Sequence, residues 1–365
     1  VEIVNACFQP AAPPPFESSP TGRIRFGRWR HGGEELVVFR AEPDTVEVHC
    51  HGGQAAVELI VESLLHHGAE FSNWPDTLRQ RGKPRWQVQA EQALATAVTE
   101  RASLVLLDQL NGALADALQS IRDAIAASDF PTAVAHAGHL LSTAPLGLHL
   151  AQPWRVVLAG PPNVGKSSLI NAIVGYERAV VFDQPGTTRD VVQADCAIEG
   201  WPVELSDTAG LREGAELLES LGIERTRQQL AIADLVLVVL DARELAAVDD
   251  ARQLISQLTQ GLPRSLVVLN KCDLLAGSSL ATAIEPLDDA IPCSAITGKG
   301  IPELLDAVSR LLVPEAPAER AAVVFHADQV TRLRQIIAAV ESGELTEAAH
   351  ALDWFFAITP WTLVE

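Results

Sequence analysis

The sequence predicts an α/β domain inserted into an all-α helical domain, with a small α+β domain preceding both. Three observations carry that prediction. Residues 151–315 alternate short apolar runs with stretches of helical spacing, the order expected of strands and helices built around one sheet. Residues 86–150 and 316–365, on either side, repeat alanine and leucine at helical spacing with few breakers, so a single interrupted helical domain accounts for both. Residues 1–85 mix short β-like runs with one helix near 54–67.

In the N-terminal part the β-like runs are Ile24-Arg25-Phe26, Leu36-Val37-Val38-Phe39 and Val46-Glu47-Val48-His49, and the proline-rich stretch Pro10 to Pro20 reads as an irregular loop. His49 and His51 flank Cys50, and alternate residues of a strand share a face. No carboxylate or second cysteine completes a zinc set there, so the reading is a strand end entering the turn Gly52-Gly53. His136 and His139 read in the same way as ordinary helix residues.

The α/β part holds the strongest chemical signal. The apolar run Val156-Val157-Leu158-Ala159 leads into Gly160-Pro161-Pro162-Asn163-Val164-Gly165-Lys166-Ser167-Ser168, and Leu169-Ile170-Asn171-Ala172-Ile173 follows. Strand, glycine-rich loop and helix in this order are the context in which G-x-x-x-x-G-K-S/T binds phosphate. Backbone N–H groups of the loop and the helix N-terminus point at the phosphates, where the helix dipole favours negative charge. Lys166 supplies a point charge to the β- and γ-phosphates, and the Ser167 hydroxyl ligates Mg²⁺. This is a P-loop, and the chain is predicted to bind a nucleoside triphosphate.

Further segments select the base. Asp207-Thr208-Ala209-Gly210 ends the run Val203-Glu204-Leu205-Ser206; Asp207 is expected to hold Mg²⁺ through water and the Gly210 N–H to meet the γ-phosphate. Asn270-Lys271-Cys272-Asp273 ends Leu266-Val267-Val268-Leu269. A carboxylate at Asp273 accepts two hydrogen bonds from the N1–H and 2-amino group of guanine, a pair adenine does not offer. A buried acceptor left unpaired is costly, so such a site rejects the wrong base. Ser294-Ala295 fits the loop that closes over the guanine oxygen. The set in this order predicts GTP and GDP as ligands and a P-loop GTPase domain.

Between the first two segments lies Pro185-Gly186-Thr187-Thr188-Arg189-Asp190, which lacks helical periodicity. A threonine here can ligate Mg²⁺ and sense the γ-phosphate, which makes an order–disorder switch. Thr188 is assigned that role and Thr187 is its alternative; a capping pair is the plain structural reading. No glutamine follows Asp207-Thr208-Ala209-Gly210, and Leu211 cannot polarise water. Residues 211–225 offer four carboxylates, Glu213, Glu216, Glu219 and Glu224, among which local chemistry does not choose.

Composition limits the remaining classes. The chain of 365 residues is long enough for two or three domains. No stretch approaches the length of a membrane span, and no charged start precedes an apolar segment, so a cytoplasmic protein without a membrane partner is expected. Five cysteines without C-x-x-C pairs read as reduced thiols. A net charge of −20 argues against a broad phosphate-binding surface. Arg79, Arg81, Lys83 and Arg85 form a local basic stretch, read as a solvated linker rather than an RNA contact. The chain contains no methionine, which reads as trimming or missing residues.

These residues resemble the MnmE (TrmE) tRNA-modification GTPases. That family's G domain reads G-R-P-N-A-G-K-S-S-L-x-N, then G-T-T-R-D, D-T-A-G-L-R, a glutamate and I-G-I-E-R, and the chain matches each in order, the last at Ser220-Leu221-Gly222-Ile223-Glu224-Arg225. The resemblance implies that Glu219 is the catalytic glutamate, by its spacing from Asp207, and that Asn163 helps bind a K⁺ ion in place of an arginine finger. It further implies a K⁺-stimulated enzyme activated when two G domains meet in a homodimer. Beyond the G domain, Asp44 to Gly53 is similar to the family's E-D-V-V-E-I-x-C-H-G-G in a folate-binding, dimerising domain, which implies a formyl-tetrahydrofolate site within 1–85. Gln89-Ala90-Glu91, Gln109-Leu110-Asn111-Gly112 and Ala351-Leu352 resemble helical-domain motifs. The implied partners are tRNA and an MnmG-like flavoprotein.

The chain departs from that pattern before Phe16, after Ala69-Glu70-Phe71-Ser72, and at its last residues, Trp361-Thr362-Leu363-Val364-Glu365, where the family carries C-I-G-K. The expectation from those departures is GTP hydrolysis without completed wobble-uridine modification. Two other readings fit the G-domain motifs: a ribosome-assembly GTPase of the Era or Der type, opposed by the single G domain and flanking helices, and a GTP-dependent scaffold whose output is partner binding.

Overall fold

The computed structural model describes residues 1–31, 33–74, 82–176, 193–207, 230–245, 251–262, 264–275 and 290–358, with the backbone alone of 179–181. They divide into two compact units, Val1–Thr77 and Leu78–Glu365.

In the first unit, α1 (Glu2–Cys7) precedes a four-stranded antiparallel sheet of β1 (Phe8–Pro10), β2 (Ile24–Trp29), β3 (Glu35–Arg40) and β4 (Val46–His49), followed by α2 (Gln54–His66). Alternate residues of β2 and β3 turn Trp29, Leu36 and Val38 into a core with Ile60 of α2. The Trp29 indole N–H donates to Ser63 Oγ at 2.7 Å, so the buried ring keeps a partner for its one donor. The three expected strands and the helix are present. The proline-rich stretch is more ordered than expected, because Phe8 and Phe16 meet edge-to-face at 5.8 Å inside the core. That contact draws in β1 and a turn of 3₁₀ helix at Phe16–Ser18. His49 bonds Glu47 and His51 bonds Glu34; no group of three metal-ligating side chains occurs among the described residues.

The second unit begins with α3 (Arg85–Thr96), α4 (Glu100–Leu110), α5 (Ala113–Ala126), α6 (Phe130–Ser142) and the short α7 (Ala144–Gly147). Thr99 caps α4 by accepting from the Ala102 N–H, and Asp129 caps α6 by accepting from Thr132. Leu106, Leu114, Leu118, Ile121 and Leu140 form a core with Leu333 and Ile336 of α12 (Ala327–Ser342) and with Leu352 and Phe355 of α13 (Leu345–Phe356). Polar ties cross the same boundary: Gln109 donates to the Ala321 carbonyl and accepts from the Val323 N–H, and Gln329 donates to Gln89. Of the basic stretch, Lys83 pairs with Glu91 and the Arg85 guanidinium lies 4.5 Å from the Trp354 ring centre, while Arg79 and Arg81 lie outside the described residues.

Between these helices runs a seven-stranded sheet in the order β11-β10-β9-β5-β8-β7-β6. Its strands are β5 (Trp154–Ala159), β6 (Ala179–Val181), β7 (Gln193–Ile198), β8 (Trp201–Asp207), β9 (Leu235–Asp241), β10 (Ser265–Asn270) and β11 (Ile291–Pro292). The five from β11 to β8 are parallel, whereas β7 joins β8, and β6 joins β7, antiparallel. The helices are α8 (Lys166–Val174), the short α9 (Ala242–Leu245), α10 (Ala251–Thr259) and α11 (Ile301–Leu312). All of β9 is buried: Leu235, Leu237 and Val239 join the core shared with the helices, and Val236, Val238 and Leu240 join a second core with Leu245. Burial on both faces explains the unbroken apolar run of this strand. No helix among the described residues is long and apolar enough to cross a membrane.

Candidate nucleotide site

The parallel strands deliver the site residues to one edge. Ala159 ends β5, Asp207 ends β8, Asp241 ends β9, Asn270 ends β10, and Ser294 follows β11 after Cys293. Open α/β sheets bind ligands at the carboxyl ends of their strands, and here the loop Gly160–Gly165 crosses that end before α8 begins at Lys166.

Gly165 adopts φ +93°, and a Cβ built on it would lie 2.5 Å from the Asn270 Nδ2. Only glycine lets Asn270 approach the loop, where its Nδ2 donates to the Val164 carbonyl at 2.9 Å. The Asn270 Oδ1 accepts from the Ala295 N–H at 3.1 Å, so one buried amide joins three loops. Ser294 is fully buried, its Oγ accepting from the Thr297 N–H and its N–H bound to the Lys299 carbonyl.

Lys166, 5% exposed, donates from Nζ to the carbonyls of Gly160 and Pro161 at 3.1 and 2.9 Å. Its ammonium is thereby held inside the loop. Ser167 Oγ donates to Asp207 Oδ2 at 2.7 Å, uniting the hydroxyl and carboxylate expected at the magnesium. Val164 is buried, and Ser168 lies exposed on α8. The donor set therefore fits a Mg²⁺-bound triphosphate: one ammonium, a loop of backbone amides, a hydroxyl and a carboxylate.

Beside this loop, Lys271 donates from Nζ to the Asn163 carbonyl at 2.6 Å and to Asp241 Oδ2 at 2.9 Å. Both Asn163 and Lys271 have φ +62°, a conformation costing a non-glycine residue about 1–2 kcal/mol. Asp273 sits exposed on the short 3₁₀ turn Cys272–Leu274 that Lys271 opens. Burial pushes the Cys293 thiol up to about 12, with Cys272 adding to it, so this thiol after β11 stays protonated.

Of the residues singled out from sequence, Asn163, Val164, Gly165, Lys166, Ser167, Ser168, Asp207, Asn270, Lys271, Asp273, Ser294 and Ala295 are described and gather at this edge. Thr187, Thr188, Gly210 and Glu219 lie outside the described residues, as do Trp361–Glu365. Sequence reading missed Asp241 and Arg243. Arg243 donates from Nε and Nη2 to the Asp241 carboxylate at 3.1 and 2.7 Å. That contact, ahead of Lys271, holds the Asp241 carboxyl well below the usual carboxylate range. The available signal was an acid closing an apolar strand, as Asp207 closes β8.

A glycine-rich loop at the strand ends, tied by Asn270 and Lys271 to the turn that carries Asp273, has the architecture of a P-loop GTPase. Residues 155–271 match the family model described as 50S ribosome-binding GTPase. Among curated proteins, the chain is 34% identical to the tRNA modification GTPase MnmE of Roseiflexus castenholzii, over 97% of this chain and 84% of that one. It is 36% identical to that of Symbiobacterium thermophilum, over 94% of this chain and 85% of the relative. Era from Aquifex aeolicus is a weaker structural match, covering 50% of this chain and 66% of that chain at 25% identity and a TM-score of 0.35. The chain belongs to the MnmE family of tRNA modification GTPases, and it is a GTP-hydrolysing enzyme.

Proposed function

We propose that this enzyme of the tRNA modification GTPase family hydrolyses GTP with Mg²⁺ and K⁺, its activity rising when two G domains of a homodimer meet. The observation that most supports this reading is the 2.7 Å bond from Ser167 Oγ to Asp207 Oδ2, because it brings together beside the phosphate loop the hydroxyl and the carboxylate that a Mg²⁺-bound triphosphate needs. In this reading Lys166 neutralises the β- and γ-phosphates, Ser167 and Thr188 ligate Mg²⁺, and Asp207 reaches the metal through water. Asp273 reads guanine, with Asn270, Lys271, Ser294 and Ala295 shaping its pocket. The Gly210 N–H meets the γ-phosphate, and Thr187 stands beside the switch threonine. Bound Mg²⁺ and K⁺ supply positive charge to the phosphates; the chain's own part is to place the donors and to orient the attacking water through Glu219.

The domain reading is a G domain at 151–315 inserted into a helical domain made of 86–150 and 316–365. The shared core of α3–α6 with α12 and α13 supports it. Residues 1–85 form the dimerising part, to which the family resemblance assigns formyl-tetrahydrofolate; tRNA and an MnmG-like flavoprotein are the partners, in the cytoplasm.

The test is single-turnover GTP hydrolysis with K⁺ or Na⁺ as the only monovalent cation. The wild-type chain is expected to be faster in K⁺, Asn163→Ala to lose that difference while still binding GDP, and Glu219→Ala to slow hydrolysis by about 10²-fold or more. Equal wild-type rates in the two salts overturn the K⁺ assignment, and an unaffected Glu219→Ala overturns the assignment of the water-orienting group.

A further inference from the structure

Asp241 stands directly opposite Asn270 in the β9–β10 register, one residue before Lys271. Its side chain is 1% exposed and accepts four hydrogen bonds. Oδ1 takes the Arg243 N–H and Nε, and Oδ2 takes Arg243 Nη2 and Lys271 Nζ. A carboxylate needs a partner to be buried, and the paired guanidinium already provides one in fork geometry. The second cation is therefore not required for neutralisation. What Asp241 adds is a fixed place for Lys271, whose ammonium then reaches the Asn163 carbonyl.

We propose that Asp241 is a positioning residue for guanine-nucleotide binding, acting through Lys271. Lys271 opens the turn that carries Asp273, and it does so in a left-handed backbone conformation that a lysine does not favour. Anchoring its side chain at Asp241 and Asn163 holds the turn in register with the phosphate loop before nucleotide arrives. With the anchor gone, the turn samples other conformations, and binding must first recover the competent one. Such a loss falls on affinity and KM, because the turn that Lys271 opens carries Asp273, the residue assigned to the base. The bland alternative is that Asp241 only caps the short α9, whose first turn includes the Arg243 N–H it binds.

A double-mutant cycle on GDP affinity separates the two. The proteins are the full chain, Asp241→Asn, Lys271→Ala and the double variant, each checked by thermal melting. Asp241→Asn is expected to weaken GDP about tenfold, the scale of one lost charged hydrogen bond. The double variant should bind within about twofold of Lys271→Ala, as expected of residues acting as one unit. At saturating GTP, the single-turnover rate of Asp241→Asn should stay within about twofold of wild type while KM rises. Losses that multiply in the double variant, or unchanged GDP affinity in Asp241→Asn, overturn the proposal. If Lys271→Ala alone leaves GDP affinity intact while Asp241→Asn weakens it, the route through Lys271 is wrong but the nucleotide site stands; if neither changes it, both fall. Should Asp241→Asn fail to fold, Asp241→Glu keeps the charge and displaces the carboxylate by one methylene. Its GDP affinity is then expected to fall at least about threefold, since a misplaced charged hydrogen bond loses part of its strength, and unchanged affinity overturns the proposal.

Discussion

Ser167 Oγ and Asp207 Oδ2 meet at 2.7 Å although they stand 40 residues apart, one at the start of α8 and one at the end of β8. Because β5 and β8 pair in parallel, with Leu158 opposite Asp207, the carboxylate arrives beside the phosphate loop as a consequence of register. The hydroxyl spends its single proton on Asp207, which leaves its lone pairs to a metal. Ser167→Ala removes both the ligand and the bond. It is expected to weaken GTP binding in Mg²⁺ by about tenfold or more, the cost of a lost charged hydrogen bond and one ligand, and to leave binding in EDTA nearly unchanged. Nucleotide titrations with and without Mg²⁺ check this; equal losses in both conditions contradict a role at the metal.

Asp273→Asn tests base reading. A carboxylate accepts from the guanine N1–H and 2-amino group, whereas an amide offers one acceptor and one donor. That pairing suits a base with N1–H beside a 2-carbonyl, as in xanthine. GTP affinity should fall by about 10²-fold or more while xanthosine triphosphate gains, the range expected when a polar site is left unpaired. Competition binding with the two nucleotides decides it, and a variant that still prefers GTP refutes the assignment.

Much of this site was legible in the chain because each loop follows an apolar run that identifies its strand. Val156–Ala159 before Gly160 and Leu266–Leu269 before Asn270 are local signals, and the strands form there. Asp241 carries no such motif; its meaning depends on the register that sets it opposite Asn270, which no local periodicity encodes. The same holds for β1, where Phe8 and Phe16 find each other across a proline-rich stretch whose composition favours loop. The antiparallel β7 was equally hidden, since Gln193-Ala194-Asp195-Cys196 lacks the apolar density of a central strand.

Arg101 of α4 grips the turn between β7 and β8. Its Nη1 donates to the Glu199 carbonyl at 3.0 Å, and its guanidinium lies 4.4 Å from the Trp201 ring centre. Gly200 permits this with φ +81°; a Cβ there would lie 3.3 Å from Arg101 Cβ and Cδ. Gly200→Ala is expected to cost about 1–2 kcal/mol, the penalty of a left-handed non-glycine residue. Arg101→Ala should cost about 1 kcal/mol through the lost cation–π contact and hydrogen bond. Because alanine at 200 crowds Arg101, the double variant should lose less than the two costs added. Urea unfolding of the four proteins measures it, and strict additivity argues against the crowding.

Cys196 and Cys293 give the chain a stability that depends on alkaline pH. Burial pushes the Cys196 thiol up to about 12, with the neighbouring Asp195 adding to it, and burial first also raises Cys293 to about 12. In the unfolded chain a cysteine ionises near about 8.5. Below that pH both states hold the proton and the stabilising contribution is whole. As pH rises from about 8.5 towards the folded value, only the unfolded chain releases its proton, so stability falls. Between pH 9 and 10 each thiol should account for about 1 kcal/mol of that fall. Every other ionisable group is common to the variants compared, so a difference in slope reports the substituted thiol. Cys196→Ala and Cys293→Ala start from lower stability because each leaves a small cavity, yet each should show a shallower decline over this interval than the wild-type chain. Urea unfolding at pH 8, 9 and 10, followed by tryptophan fluorescence, gives the three slopes; identical slopes would mean that neither thiol resists ionisation in the folded protein.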